Sequence, residues 1–229
     1  MKRIAIITGA AGNLGKAVAK KFIQEGYQVV GTIHNTSTAG DFPKDHFEEV
    51  IVDLSDEEKC QKFVDEVVQK YGKIDVAVLT AGGFAVGNIE STKSVDILKQ
   101  YRLNFETAYN IARPVFIQMN KQNAGRIFLT GSRAGSETSG AKETIAYSLS
   151  KSLIFRLAEI LNAESKGKNV VTSVIVPSII DTPENRQSMP KADFSSWVTP
   201  AQIADVVFYY CTDEAAVIRE PVIKIYKDS

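Results

Sequence analysis

Short apolar runs alternate with amphipathic stripes along the chain. Ile4-Ala5-Ile6-Ile7, Gln28 to Ile33, Val50-Ile51-Val52, Asp75 to Thr80, Arg126 to Thr130, Val170 to Val176 and a last run near Pro221 to Tyr226 are short and carry apolar residues at successive positions. Such runs predict strands buried on both faces. Between them apolar residues recur at helical spacing. Leu14, Ala17, Val18, Phe22 and Ile23 form one stripe, ended by Gly26, and Cys60, Phe63, Val64, Val67, Val68 and Tyr71 form another, ended by Gly72. A longer stripe runs from Leu98 through Tyr101, Phe105, Ala108, Tyr109, Ala112, Val115 and Phe116 to Met119. Pro114 lies inside it and predicts a kink or a broken hydrogen bond there. Two more helices are expected, from about Ala146 to Ser165 and from Pro200 to Cys211, with Pro177 stopping the strand between them. The alternation predicts an α/β fold: one parallel sheet with helices on both faces and a ligand crevice beyond the carboxyl ends of the strands.

The first strand runs into Thr8-Gly9-Ala10-Ala11-Gly12-Asn13-Leu14-Gly15, where small residues join it to a helix. A tight strand-to-helix turn needs residues without bulk, because the backbone bends sharply and approaches a ligand closely. It also leaves the first helical amides pointing outward, where the helix dipole favours an anion such as a dinucleotide pyrophosphate. A mononucleotide P-loop is excluded by detail. Lys16 follows Gly15, but the spacing from Gly9 to Gly15 is one residue too long and Ala17 stands where Ser or Thr would bind magnesium. The turn makes the expected architecture a single-domain, doubly wound sheet of the Rossmann type over residues 1–229.

Composition narrows the partners. Lys plus Arg and Asp plus Glu are 27 each, so no excess of positive charge points to nucleic acid or an anionic membrane. Cys60 and Cys211 lie far apart, and with only His34 and His46 besides, no metal-ligand cluster follows from spacing. The first apolar run is too short for a signal segment or a membrane span. The expectation is a cytoplasmic protein with reduced cysteines, no metal and a small-molecule substrate.

Tyr147 and Lys151 stand four apart on one predicted helix and so share a face. They follow the fifth strand and a polar loop containing Ser132. Over essentially its whole length the chain resembles the short-chain dehydrogenase/reductase family. The resemblance rests on the Thr8 to Gly15 turn, Asp53-Leu54, Asn104, Ser132, Tyr147 with Lys151, and Pro177 to Thr182. It implies a catalytic set of Asn104, Ser132, Tyr147 and Lys151. It also implies a nicotinamide cofactor held by Gly9, Gly12, Asn13, Leu14, Gly15, His34, Asp53, Leu54, Ala81, Gly82, Gly83, Tyr147, Lys151, Pro177, Ile180 and Thr182. In that set Ser132 orients the substrate oxygen, Lys151 holds the ribose hydroxyls and Asn104 supports a proton-relay water. The physics of Tyr147 can be stated separately. A free phenol titrates near pH 10, so proton exchange near neutrality asks for about 3–4 kcal/mol of extra stabilisation of the phenolate. The Lys151 ammonium and an oxidised nicotinamide ring would both act in that direction. Asp53 has a second reading, as a strand-end cap for the following turn.

Several positions depart from the common family pattern. Asn13 replaces a frequent glycine, a spacing shared with longer sugar-nucleotide epimerases, for whose C-terminal substrate domain this chain has no room. Thr80 replaces the usual Asn after the fourth strand, which loses an amide contact, and Ser178 stands where glycine commonly follows the proline. Ser132 precedes Tyr147 by slightly more than is usual, so Ser136 is a rival for the substrate-orienting hydroxyl. Within the family, Thr80 to Asn88 and Asp181 to Trp197 resemble the dihydropteridine reductases, which lack the serine. The second stretch falls in the loop that closes over substrate, at about 178–198. Thr182 can cap a short helix there with Pro183 at its first position, while Phe194 and Trp197 anchor the far end, Trp197 as core packing.

The end of the second strand, Thr32-Ile33-His34-Asn35-Thr36-Ser37, has no acid before Asp41 to repel a 2′-phosphate, so the local chemistry leans to NADP(H) over NAD(H). The dihydropteridine reductase resemblance implies NADH instead. The expected reaction is hydride transfer to a small carbonyl compound or a quinonoid dihydropterin. The alternatives are a dinucleotide-binding redox sensor without turnover and, third, an epimerase. Ile154, Phe155 and Ala158 beside Leu153, Leu157 and Leu161 put apolar residues on more than one helix face, and with the family resemblance this implies a homodimer or homotetramer.

Overall fold

The computed structural model describes residues 2–34 and 42–227. Seven strands form one parallel sheet in the order β3-β2-β1-β4-β5-β6-β7. They are β1 (Ile4–Thr8), β2 (Gln28–Ile33), β3 (Phe47–Ile51), β4 (Val76–Leu79), β5 (Ala124–Thr130), β6 (Asn169–Pro177) and β7 (Val222–Ile225). The helices are α1 (Asn13–Gln24), α2 (Glu57–Tyr71), α3 (Ser94–Gln100), α4 (Thr107–Gln122), α5 (Arg133–Ser136), α6 (Ile145–Glu164), α7 (Pro183–Ser188) and α8 (Pro200–Tyr209). The strand order reverses between β1 and β4, which sit side by side in register from Ala5 opposite Val76 to Thr8 opposite Leu79. A crevice opens where connections leave a sheet in opposite directions.

Successive side chains of a strand point to opposite faces, and the core divides accordingly. Ile4, Ile6, Ile127, Leu129 and Val174 join Phe63 and Val64 of α2, Ile111 and Val115 of α4, and Ile154 and Leu157 of α6. Ala5, Ile7, Phe128 and Ile175 face the other way, onto Val18 and Phe22 of α1 and Ile203 and Val207 of α8. Each core strand therefore reads as an unbroken apolar run. Edge strand β3, FEEVI, is only partly covered.

The long stripe from Leu98 to Met119 is not one helix. The irregularity lies upstream of Pro114, in a π-helical turn over Tyr101–Glu106, and α4 continues through the proline. The Thr107 amide reaches back five residues to the Arg102 carbonyl. The Thr107 hydroxyl donates to the Leu103 carbonyl at 2.8 Å, taking the place of the α-helical amide. Such turns are local widenings that re-aim a side chain, and this one contains Asn104.

On α6, Ile154, Leu157, Ala158 and Leu161 are buried in the protein's own core, whereas Leu149, Leu153 and Ile160 remain exposed. Leu98 of α3 and Ile117 of α4 are exposed as well. Among the described residues no helix is long and apolar enough to cross a membrane, and no group of His, Cys, Asp and Glu is arranged to hold a metal.

Candidate active site

The expected functional segments all emerge at the carboxyl ends of the strands. After β1, Gly9 takes φ +65°, a left-handed conformation that favours glycine, and its carbonyl accepts from the Gly12 amide at 2.9 Å. A side chain at Gly15 would run into the Gly9 backbone, so the turn closes as tightly as it does only with glycine there. Helix α1 then starts at Asn13 with no side-chain cap on its first amides and no acid in its own first turn. Uncapped amides at a helix start suit an anion, so the turn fits a dinucleotide pyrophosphate. Leu14 is buried beneath it in the α1 side of the core.

The ends of β1, β4 and β5 are laced together by hydroxyls. Thr80 donates to the Thr8 carbonyl at 2.6 Å, Thr8 accepts from the Ala81 amide at 3.2 Å, and Thr130 donates to the Leu79 carbonyl at 2.9 Å. Thr80 thus makes a strand-to-strand tie where an amide side chain was the expected residue. Ala81, Gly82 and Gly83 follow at the switch point.

Asn104 is buried, and its side chain joins three elements. Its carbonyl oxygen accepts from the Gly83 amide at 3.0 Å, and its NH2 group faces the Gly83 carbonyl at 3.0 Å, Gln100 Oε1 at 2.9 Å and Ser150 Oγ at 3.2 Å. These partners, all protein groups, make the side chain a clamp between the β4 loop and α6. Gln100 and Ser150, both buried, were not foreseen. Ordinary helix spacing from Gln100 would have suggested the first of them.

Tyr147 and Lys151 lie on the first turns of α6. Lys151 is 4% exposed, and its ammonium stands 6.0 Å from the Tyr147 ring centre and donates to the Thr130 carbonyl at 2.8 Å. Two of its three donors are left for a ligand, an arrangement that fits a pair of ribose hydroxyls. Burial lowers its pKa to about 8. Burial pushes the Tyr147 phenol up, opposed only by the neighbouring Ser132 hydroxyl. The protein alone therefore moves the phenol opposite to the direction expected from the lysine charge, because removing a phenolate from water costs more here than the Ser132 hydroxyl repays.

Ser132 is buried at the start of α5, where its hydroxyl also accepts from the Gly135 amide at 3.0 Å. Gly135 lies against Lys151, where a side chain would come within 2.7 Å of the lysine Cβ, so the loop can rest on α6. Ser136 is exposed, and its hydroxyl donates to the Arg133 carbonyl at 3.1 Å. Of the two serines, Ser132 is the one whose hydroxyl acts on the phenol.

The remaining expected contacts are spread around the crevice. His34 is exposed just beyond β2, and Asn35, Thr36, Ser37 and Asp41 lie outside the described residues. Asp53 is exposed, and one carboxylate oxygen accepts from the Ser55 amide at 3.0 Å and hydroxyl at 2.7 Å, which is the strand-end cap. The Leu54 carbonyl accepts from Asn110 at 3.0 Å. Pro177 ends β6, Ile180 bridges to Val198, and Thr182 caps α7 by accepting from the Asn185 amide at 3.2 Å, with Pro183 at the first helical position. Arg186 grips Asp181 through two hydrogen bonds of 2.6 and 2.8 Å and covers the Phe194 ring. Trp197 is buried, as core packing requires. One contact was not foreseen: the Asn13 amide donates to Glu184 on α7 at 2.8 Å, joining the turn after β1 to the segment after β6. These residues are 171 positions apart, and nothing local in either stretch signals the pairing.

Comparison with known proteins gives the family. Residues 3–193 match the short chain dehydrogenase family. The 3-oxoacyl-[acyl-carrier-protein] reductase FabG of Thermotoga maritima is 26% identical, covering 97% of this chain and 96% of its own. The acetoacetyl-CoA reductase of an Acinetobacter species is 23% identical over 98% of this chain and 96% of its own. Among solved structures, ElxO with NADP bound superposes with a TM-score of 0.89 at 23% identity, covering 98% and 97% of the two chains, a likeness of fold. With the glycine turn, the switch-point loops and the Tyr147–Lys151 pair in one crevice, the chain belongs to the short-chain dehydrogenase family and is an NAD(P)-dependent oxidoreductase.

Proposed function

We propose that the protein is a reductase that delivers hydride from NADPH to a small carbonyl compound or a quinonoid dihydropterin, with Tyr147 as the acid. The observation that carries this reading is the grouping of Ser132, Tyr147 and Lys151: a half-buried tyrosine with a buried serine hydroxyl beside its phenol and the amine of a buried lysine 6.0 Å from its ring centre. A bound nicotinamide dinucleotide supplies the hydride. The turn of Gly9, Gly12, Asn13, Leu14 and Gly15 holds its pyrophosphate, and Lys151 holds the ribose through the donors not used by Thr130. Ala81, Gly82, Gly83, Pro177, Ile180 and Thr182 form the walls, with His34, Asp53 and Leu54 toward the adenine side. Tyr147 gives its phenolic proton to the substrate oxygen, and Ser132 orients that oxygen. The raised phenol pKa keeps this proton in place at neutral pH until the substrate oxygen takes it. Asn104 acts as a positioning residue, keeping the Gly83 loop in register with α6.

NADP(H) is preferred over NAD(H) because the described end of β2, Thr32-Ile33-His34, carries no carboxylate to repel a 2′-phosphate. The names of the oxoacyl and acetoacetyl reductases favour 3-oxoacyl compounds within the carbonyl class, and the resemblance of residues 181–197 to dihydropteridine reductases favours pterins. The working form is a homodimer or homotetramer, and two free cysteines, each pushed up to about 12 chiefly by burial, suit a reducing cytoplasm. A panel of pterin and carbonyl substrates with NADPH and NADH in parallel tests the whole reading. Oxidation of NADPH by at least one class is expected, with tighter binding of NADPH than NADH. Tyr147→Phe lowers kcat by at least ~100-fold with little change in coenzyme affinity. Substantial turnover by that variant removes Tyr147 from the acid role.

A further inference from the structure

The loop after β4 does more than line the coenzyme site. The Phe84 and Tyr147 rings pack in a T-shaped pair, with centroids 5.0 Å apart and planes at 73°. Phe84 is 65% exposed although it packs against the half-buried Tyr147. Its position is held from behind. The Gly87 amide donates to the Glu143 carbonyl at 2.7 Å, and the Ile145 amide donates to the Gly87 carbonyl at 3.0 Å. The loop is thereby pinned as a short parallel bridge to the residues that lead into α6. Phe84 and Tyr147 are carried on two segments tied to each other, so the pair keeps its geometry. From Ala81 to Ile89 the loop has no charged residue.

We propose that Phe84 is a specificity-determining residue whose exposed face forms one wall of the substrate space and selects flat, uncharged, conjugated carbonyl compounds over aliphatic ones. The inference rests on Tyr147 being the proton donor. A substrate oxygen held at that phenol brings the rest of the substrate within reach of a ring 5.0 Å from the tyrosine's own. An aromatic face rewards a planar π system through offset stacking and gives a branched or flexible chain only ordinary contact. Phe84 already occupies its edge-to-face partner in Tyr147, and its exposed face is the one left for the substrate.

The test compares the intact protein with Phe84→Ala and Phe84→Trp on two probes: 9,10-phenanthrenequinone, a flat dione, and ethyl acetoacetate, an aliphatic keto ester. Binding of the dione to NADP+-loaded protein, where no reduction can occur, is read by calorimetry, and kcat/KM for both probes is read with NADPH. Phe84→Ala weakens binding of the dione about fivefold and lowers the ratio of its kcat/KM to that of the keto ester by a similar factor, mostly through KM. Phe84→Trp restores both. Equal losses on the two probes assign Phe84 only to holding Tyr147 and overturn the proposal, as does a wild type that fails to bind the dione. A wild type that binds the dione but reduces neither probe refutes the reductase reading, while the binding comparison still decides the role of Phe84.

Discussion

At the scale of single residues, the site depends on a lysine kept where its charge is poorly solvated. Lys151 is 4% exposed, and its pKa falls from 10.5 to about 8 through burial. A base with a folded pKa below its unfolded value holds fewer protons in the folded state, so stability rises with pH between about 8 and 10.5. At neutral pH the buried ammonium costs on the order of 3 kcal/mol. Lys151→Met is therefore expected to raise the melting temperature at pH 7, by an amount that shrinks as pH approaches 10, while weakening NADPH binding. Thermal unfolding at pH 7 and 9.5 checks the first part and coenzyme titration the second. A melting temperature lowered equally at both pH values would show that packing, not desolvation, dominates. The spacing of Tyr147 and Lys151 was readable from the chain alone, because four residues are about one helical turn. The direction in which the phenol moves was not, since burial depends on what the rest of the fold places around it.

At the scale of elements, the π turn between α3 and α4 is the clearest case of a local device serving the site. A proline was the visible irregularity in that stripe, yet the helix departs from α geometry at Tyr101–Glu106 and passes through Pro114. The Thr107 hydroxyl stabilises the widened turn at the Leu103 carbonyl, and the turn directs Asn104 to Gly83 and Ser150. Thr107→Val leaves that carbonyl without its partner. It is expected to cost about 1–2 kcal/mol and to lower kcat more than it weakens coenzyme binding, as measured by denaturant unfolding and steady-state kinetics. A variant with unchanged kcat would separate the turn from catalysis. Strand and helix positions were legible here because apolar period and Gly stops are local signals. The π turn was not, because a hydroxyl bonding four residues back leaves the apolar stripe unchanged.

At the scale of the whole molecule, α6 divides its apolar residues between two purposes. Ile154, Leu157, Ala158 and Leu161 face the sheet, and Leu149, Leu153 and Ile160 face outward. Leu98 and Ile117 are exposed as well, and burial of such residues against a second subunit is the expectation to test. Sedimentation at micromolar concentration is expected to give a dimer or tetramer, and Leu153→Glu with Ile160→Glu is expected to shift it to monomer without unfolding. A monomeric wild type would refute the assembly. The alternation of strand and helix, the glycine turn and the Tyr147–Lys151 spacing were all determined by sequence alone, because each depends on residues close together along the chain. Only the tertiary structure decided that Asn104 clamps loop to helix, that Asn13 reaches Glu184, that Ser132 rather than Ser136 meets the phenol, and that Phe84 leans on Tyr147. Those contacts join segments from 15 to 171 positions apart. Their energies depend on distance and burial in space, which no local pattern of residue types encodes.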